Sequence, residues 1–367
     1  MLSTHFPTEP ISTISANNHL PMESKQELTS VIVLNYNGMG NDYLPKCIRS
    51  LCKQTYPYLE IIVVDNASQD DSCQYLRQNF SDVKLVQLEK NFGFCQGNNE
   101  GYRESTGEFV LFANNDTVFA PNNIELLVRT LHDFPEAGMA SAKLLRPLTQ
   151  DSLKDRRIDS AGLMLQKNLT LRDRGYFILD EGQYDEKAYI FAPCGAAAFY
   201  RRSALETVLE NGKVWDEDFF AYYEDGDLGW RLQNMGWSCV YVPTAVVEHY
   251  RGGSSPSAFF KKPLTFKVHT IKNRYLMLFK NAPFPILFKN LWSLLMQETF
   301  IWGYLLLHPK LLYTLVRSLT KTIPRALKKR QNSRFSNKST AKGNSQFLFE
   351  AHPLTLDVKE PKSNKPV

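Results

Sequence analysis

Three acidic clusters in this chain each stand at or just after the end of an apolar run: VVDNAS (residues 63–68), NNDT (114–117) and YYEDGDLGWRL (222–232). A carboxylate so placed has several uses. Asp65 can accept from the imide N–H of a pyrimidine base, or cap the helix that follows, since Asp, Asn and Ser are favoured N-caps. Asp116, beside Asn114 and Asn115, can hold a hard divalent cation through oxygen ligands; Asn and Asp also favour plain turns. Glu224, Asp225 and Asp227 crowd three negative charges ahead of a helix expected from about Leu228. The helix dipole accounts for one or two of them, at about 0.3–1 kcal/mol each. Three, flanked by Phe219, Phe220, Tyr222, Tyr223 and Trp230, point to an acidic site in an aromatic wall. Like charge and desolvation there raise one pKa toward that of a useful base.

Two further segments carry polar groups to a turn. NFGFCQGNNEG (91–101) runs from a Gly/Asn-rich turn into a helix, where backbone N–H groups suit a nucleotide or its phosphates. Its glycines, Gly93, Gly97 and Gly101, fall four apart, so it is not the G-x-G-x-x-G of a dinucleotide fold. His249 follows VYVPTAVVE and precedes a Gly/Ser turn, a position open to a metal ligand as well as to a structural role.

The elements that position these groups are legible from the apolar pattern. Residues 30–37, 59–65, 83–88 and 108–113 read as buried strands; residues 44–54, 72–80 and 97–105 read as helices between them. Such alternation predicts an α/β layer on a mainly parallel sheet. Ligands of such sheets sit beyond the carboxyl ends of the strands, and Asn35, Asn37, Asp65 and residues 114–116 all lie there. Residues 139–200 are less regular, 240–249 read as a further strand, and 272–280 and 284–307 as helices dense in Leu, Phe, Trp and Ile. Lys289 and Glu298 interrupt the last run, which therefore offers no clean span of about 20 apolar residues; helices lying on a membrane surface are expected.

The 367-residue chain is 43% hydrophobic and 22% charged, ordinary values for a folded protein, and its net charge of +5 does not call for a nucleic-acid partner. The charge is concentrated: residues 308–335 carry eight Lys and Arg and no Asp or Glu. Beside an apolar stretch, that excess suits an anionic membrane surface. Six cysteines with no C-x-x-C pair predict a reduced, cytosolic chain without a zinc site. The expected organisation is a disordered leader (1–28), a catalytic domain (29–255), a helical, basic and apolar membrane-associating region (256–330) and a disordered tail (331–367).

VIVLNYNG, VVDNASQDDS, NFGFCQGNN, LFANNDT, FFAYYEDGDLGWRL and VVEHYRGGSS occur in the order found in inverting family-2 glycosyltransferases, and the chain resembles their rhamnosyltransferase-like branch from about residue 30 to 255. The resemblance implies a GT-A fold, Rossmann-like, with a mainly parallel mixed sheet flanked by helices and here a C-terminal helical extension. It implies that Asp65 binds the nucleoside base, within a nucleotide-sugar set of Asn35, Asn37, Asn91, Gly93, Asn98, Asn114, Asn115 and Asp116. Asn114 and Asp116 take the outer positions of the family's D-x-D motif, and His249 joins Asp116 at Mg2+ or Mn2+, with Asn114 a further candidate ligand. Asn114 replaces the Asp of many relatives and puts metal dependence in question. Asp225 becomes the general base, with Tyr223, Glu224, Asp227, Trp230 and Arg231 as the acceptor wall, and Arg251 near the leaving diphosphate.

The function so implied is transfer of one sugar, L-rhamnose from dTDP-rhamnose, to a polyprenyl-linked glycan in O-antigen or capsule assembly, at the cytoplasmic face of the membrane. A UDP-hexose or UDP-galactofuranose donor is the near alternative. A non-catalytic sugar-nucleotide-binding protein would show a degraded Glu-Asp site, and a nucleotidyltransferase a basic Gly-rich loop after the first strand. Glu224-Asp225 is intact, and NYNGMGNDY carries no Lys or Arg.

Overall fold

The computed structural model describes residues 27–148, 156–251, 259–332 and 352–353, so all but the last two residues of the expected leader, most of the tail and the Gly/Ser turn after Arg251 lie outside the described residues. Apolar β-branched runs buried on both faces form the centre of the sheet. β1 (Thr29–Asn35) is followed by α1 (Tyr43–Leu51) and pairs in parallel with β2 (Leu59–Asp65), which places Asn35 opposite Asp65. α2 (Ser72–Asn79) leads to β3 (Lys84–Gln87), parallel to β2 on its outer side. α3 (Gly93–Arg103) then returns the chain across β1 to β4 (Phe109–Asn114), parallel to β1 on the opposite side. The chain thus reverses direction between β1 and β4, and their carboxyl ends border the crevice where open α/β sheets take ligands.

The remaining strands make the sheet mixed. β5 (Thr117–Phe119), α4 (Asn123–Asp133) and β6 (Ala137–Leu145) come next. The stretch read as irregular holds the short strands β7 (Ile158–Ser160), β8 (Leu163–Leu165), β9 (Leu171–Asp173) and β10 (Ala188–Ile190). β11 (Ala197–Arg201) is wedged antiparallel between β4 and β6. α5 (Arg202–Glu206) and α6 (Glu224–Asn234) precede β12 (Ser238–His249), which pairs with β6 along its length and, at its end, antiparallel with β5. That last pairing sets His249 opposite Thr117, one residue from Asp116.

Four helices close the chain: α7 (Leu264–Asn281), α8 (Phe284–Lys289), α9 (Leu291–Leu306) and α10 (Pro309–Asn332), and β13 (His352–Pro353) adds an edge to β10. The helix expected over 284–307 is two helices meeting at Asn290. Leu276, Met277, Ala282 and Ala326 belong to the main core, so helices on both sides of that break share the core of the sheet. A second small core joins Val268 and Ile271 of α7 to Leu305, Leu311, Leu315 and Leu319.

α9 keeps only Leu305 buried. Phe288, Trp292, Phe300 and Leu307 are each about three-quarters exposed, an apolar surface of the kind that marks an interaction face. Glu298, which interrupts the run, points inward, accepting from Arg274 Nη1 at 2.6 Å and Tyr275 Oη at 2.5 Å. Among the described residues no helix is long and apolar enough to cross a membrane.

Candidate active site

Polar side chains at the ends of β1, β2 and β4 are wired together. Asn115 donates its amide to Asn35 Oδ1 at 2.7 Å, and Asn35 Nδ2 donates to Asp65 Oδ1 at 2.8 Å. The Ser68 N–H donates to Asp65 Oδ2 at 3.0 Å. Gly38 makes this possible, because a Cβ there would lie 2.2 Å from Asn35 Oδ1 and 2.6 Å from Asn115 Nδ2. Asp65 is buried and does not cap α2, whose N-cap is Asp71; its carboxylate closes a local turn and anchors the amide chain. Asn37 Oδ1 accepts from the Gln69 N–H at 2.7 Å, Asn91 Oδ1 from the Gly93 N–H at 2.9 Å, and Asn98 Nδ2 donates to the Phe94 carbonyl at 3.0 Å. Gly93 opens α3 with φ +82°, under the Phe220 ring, so this helix begins four residues earlier than its sequence pattern suggested.

A cavity of about 900 Å³ lies at the carboxyl end of β4. Of the nucleotide-binding set expected from sequence, Asn114 and Asp116 line it; Asn35, Asp65 and Asn115 stand behind as support. Glu224 and Asp225 enter from the first turn of α6, which begins at Glu224 rather than near Leu228. Tyr223 precedes the helix in a left-handed conformation (φ 70°), as do Tyr222 (φ 73°) and Phe220 (φ 66°). Left-handed non-glycine residues need outside support. Asn273 of α7 supplies it, donating to the carbonyls of Phe219, Ala221 and Tyr222 at 3.0, 2.7 and 2.7 Å. Asn273, a residue the sequence reading did not single out, thus sets the aim of the Glu-Asp pair.

Asp225 accepts from the backbone N–H groups of Gly195 (3.1 Å) and Gly226 (2.8 Å). Burial outweighs these bonds and, with the nearby Asp173 charge, pushes its carboxyl up to about 6. Burial, then the Asp225 charge, drives Glu224 well above the usual range, and Glu224 Oε2 has no hydrogen-bond partner. Two adjacent carboxyls with separated affinities can divide roles, one charged and one protonated.

Asp116 and His249 form the opposite corner, with His249 Nε2 3.4 Å from Asp116 Oδ1. The other ring nitrogen, Nδ1, lies 2.8 Å from Asp159 Oδ2. Burial by itself would lower the imidazolium; the hydrogen bonds and charges of Asp116 and Asp159 prevail and push it up to about 9. Asp159 is fully buried, and although desolvation opposes its charge, His249 and Arg251 hold its carboxyl down to about 2. Arg251 bridges Asp159 (Nε–Oδ1, 2.6 Å) and Asp173 (Nη2–Oδ2, 3.1 Å). Neither acid was singled out from sequence; each sits in a three-residue strand, β7 or β9, whose weak periodicity gave no signal.

Part of the expected acceptor wall faces elsewhere. Tyr223 and Glu224 line the cavity. Trp230 is fully buried against Phe191, and Asp227 and Arg231 form a buried pair (2.9 Å). Asp227 also accepts from Lys280 Nζ at 3.0 Å and Asn281 Nδ2 at 2.8 Å, while Arg231 donates to the Val208 and Val214 carbonyls. α6 is buried nearly all round, and only its first turn, at Glu224 and Asp225, meets the cavity; positions 227, 230 and 231 lie further along the helix, packed in the interior. The basic run is divided in the same way. Lys329 pairs with Asp216 and Asp218, and Arg325 with Asp218, whereas Lys310, Arg317, Lys321 and Lys328 stay exposed on α10.

A parallel-to-mixed sheet with an acidic cavity at its topological switch defines a GT-A-type fold. Residues 30–209 match the model of Glycosyl transferase family 2, and this stretch of the chain is a family-2 glycosyltransferase domain. N-acetylglucosaminyl-diphospho-decaprenol L-rhamnosyltransferase of Mycobacterium tuberculosis (strain ATCC 25618 / H37Rv) is 26% identical over 258 residues, covering 62% of this chain and 78% of that protein. Glycosyltransferase GlyG of Streptococcus pneumoniae serotype 4 is 33% identical over 110 residues, 29% of this chain, and the match spans 36% of that relative. The crystal structure of GalNAc-T7 with UDP, GalNAc and Mn2+ superposes with a TM-score of 0.52 at 15% identity, over 69% of this chain and 47% of that one, a likeness of fold alone.

Proposed function

We propose that this protein transfers L-rhamnose from dTDP-rhamnose, with inversion, to a polyprenyl-diphosphate-linked glycan at the cytoplasmic face of the membrane, in bacterial surface-polysaccharide assembly. One observation carries the reading: Asp225, lifted to about 6 in the cavity it shares with Asp116 and His249, is a carboxylate poised to take a proton near neutral pH. The rhamnosyl donor and lipid-linked acceptor draw on the similarity to the mycobacterial protein. The exposed apolar face of α8 and α9, beside the exposed lysines and arginine of α10, supports a membrane-surface location.

In the proposed reaction the acceptor hydroxyl gives its proton to Asp225 as its oxygen bonds to the anomeric carbon. The bond from that carbon to the diphosphate oxygen breaks on the opposite face, and its electron pair leaves with the nucleotide. Burial and the Asp225 charge disfavour ionisation of Glu224, which limits the build-up of negative charge beside the base. Gly195 and Gly226 fix the rotamer of the base. Asp116, His249 and Asn114, which line the cavity together, would hold a divalent cation through oxygen and imidazole ligands. Mg2+ or Mn2+ bound there supplies charge neutralisation at the diphosphate. Asp159 holds His249 Nδ1 and so keeps Nε2 facing Asp116.

The test is a donor panel of dTDP-rhamnose, UDP-GlcNAc, UDP-galactose and UDP-galactofuranose, offered with N-acetylglucosaminyl-diphospho-decaprenol. Transfer from dTDP-rhamnose with an inverted anomer in the product is expected. Transfer from a UDP-sugar alone replaces the donor, and a retained anomer removes the single-displacement mechanism.

A further inference from the structure

Five aromatic rings run in contact from the rim of the cavity to the outer face of α9. Tyr222 and Phe266 line the cavity with ring centroids 4.7 Å apart. Phe266 continues to Phe259 at 6.3 Å, Phe259 to Tyr304 at 6.1 Å, and Tyr304 to Phe260 at 5.3 Å. None of the five is buried, and Phe260 is 68% exposed. Phe259 and Tyr304 pack on the small core formed by Val268, Ile271 and Leu305, and both stay part exposed along the surface above it. At the outer end Leu306 and Leu307 carry the apolar surface onward.

The cavity wall adds a charge. Arg172 of β9 is exposed there and makes no ion pair with a described acid, unlike Arg251, which is bound by Asp159 and Asp173. The site thus presents a base for a hydroxyl, the Arg172 guanidinium and a strip of part-exposed and exposed aromatic rings leading away. That sequence of groups matches an amphiphile with a sugar at one end, an anionic linker and a long hydrocarbon tail.

We propose that Tyr222, Phe266, Phe259, Tyr304 and Phe260 form the track for the isoprenoid chain of the acceptor, with Arg172 receiving its diphosphate. This rests on the reading of a lipid-linked acceptor given above. The chain lies along the rings toward the bilayer face of α9, and the sugar reaches Asp225 from the same side. Tail length is then read by the outer rings, and a short-tailed acceptor bypasses them.

The experiment compares the wild type with the Phe259→Ala/Tyr304→Ala double variant, both checked for an unchanged melting curve. Two acceptors carry the same GlcNAc-diphosphate head on a decaprenyl or a geranyl chain. A rise of about tenfold or more in KM for the decaprenyl acceptor is expected, with the geranyl KM and both kcat values held, because several isoprene units lose apolar contact. Arg172→Ala raises both KM values. In parallel, binding of sugar-free decaprenyl diphosphate in zwitterionic vesicles is read by quenching of tryptophan fluorescence, and the double variant weakens it. If the wild type transfers sugar to the decaprenyl acceptor while the variant changes neither acceptor, or both equally, the track is overturned and the proposed function stands. If the wild type neither binds decaprenyl diphosphate nor uses either acceptor, both readings fall together.

Discussion

The Gly195 N–H donates to Asp225 Oδ2 at 3.1 Å, joining the segment before β11 to the first turn of α6. A Cβ on Gly195 would lie 3.3 Å from that oxygen and 3.4 Å from Asp225 Cβ, tight enough that either the strand or the carboxylate must give. The base is therefore aimed by a backbone that approaches it closely. Asp225→Asn removes the proton acceptor while keeping the size of the side chain. Transfer is expected to fall about 10²–10⁴-fold with nucleotide affinity held. Single-turnover assays and dTDP calorimetry check it; equal loss in both would make Asp225 a donor-binding or folding residue.

The acid limb of the rate profile follows from the same carboxyl. With its pKa raised to about 6, Asp225 is protonated and inactive below that pH, so kcat/KM should fall about tenfold per pH unit on the acid side. Burial is the main cause and the Asp173 charge a further one; Asp173→Asn should move the limb to lower pH without abolishing it. An unmoved limb would assign the titration to another group.

Asp116 and His249 make a measurable claim about metal. Asp116→Ala and His249→Ala should each weaken Mn2+-dependent dTDP binding, and Asn114→Asp, by adding a carboxylate, should strengthen it. Titration calorimetry with and without EDTA separates these effects. Nucleotide affinity indifferent to EDTA in every variant would remove the cation from the site.

Lys280 lies in the interior among Glu210 (2.8 Å), Asp216 (2.8 Å) and Asp227 (3.0 Å). Lys280→Met strands those carboxylates, at an expected cost of about 3–5 kcal/mol in urea unfolding. A smaller loss would mean that Arg231 and Lys329 neutralise the cluster without it.

Membrane attachment should depend on exposed rings rather than on the fold. Trp292→Ser with Phe300→Ser is expected to reduce flotation with anionic vesicles at an unchanged melting temperature, since both rings are about three-quarters exposed. Truncation after Pro283 is the poorer probe, because α10 ties back to Asp216 and Asp218.

Local pattern carried much of the architecture. VVD, LFANND and VVEH showed where buried strands end, because a β-branched run halted by Asp, Asn or His is read from neighbours alone. It also located Asp116, Asp225 and His249, which share a cavity. Asp65 shows the limit, since the local pattern gave no sign of its bond to Asn35, a partner thirty residues away.

What tertiary structure decided was direction and partnership. α6 opens at Glu224 rather than Leu228, just after a turn whose three carbonyls Asn273 of α7 holds, and Asp227, Trp230 and Arg231 then fall within its buried length. Asp159 and Asp173 come from strands too short to show a period, yet they fix His249 and Arg251. The chain alone determined which chemical groups were present and where strands and helices form, because those follow from short-range preference. Their orientation and charge state were set by contacts between distant segments, because hydrogen bonding and desolvation act through space.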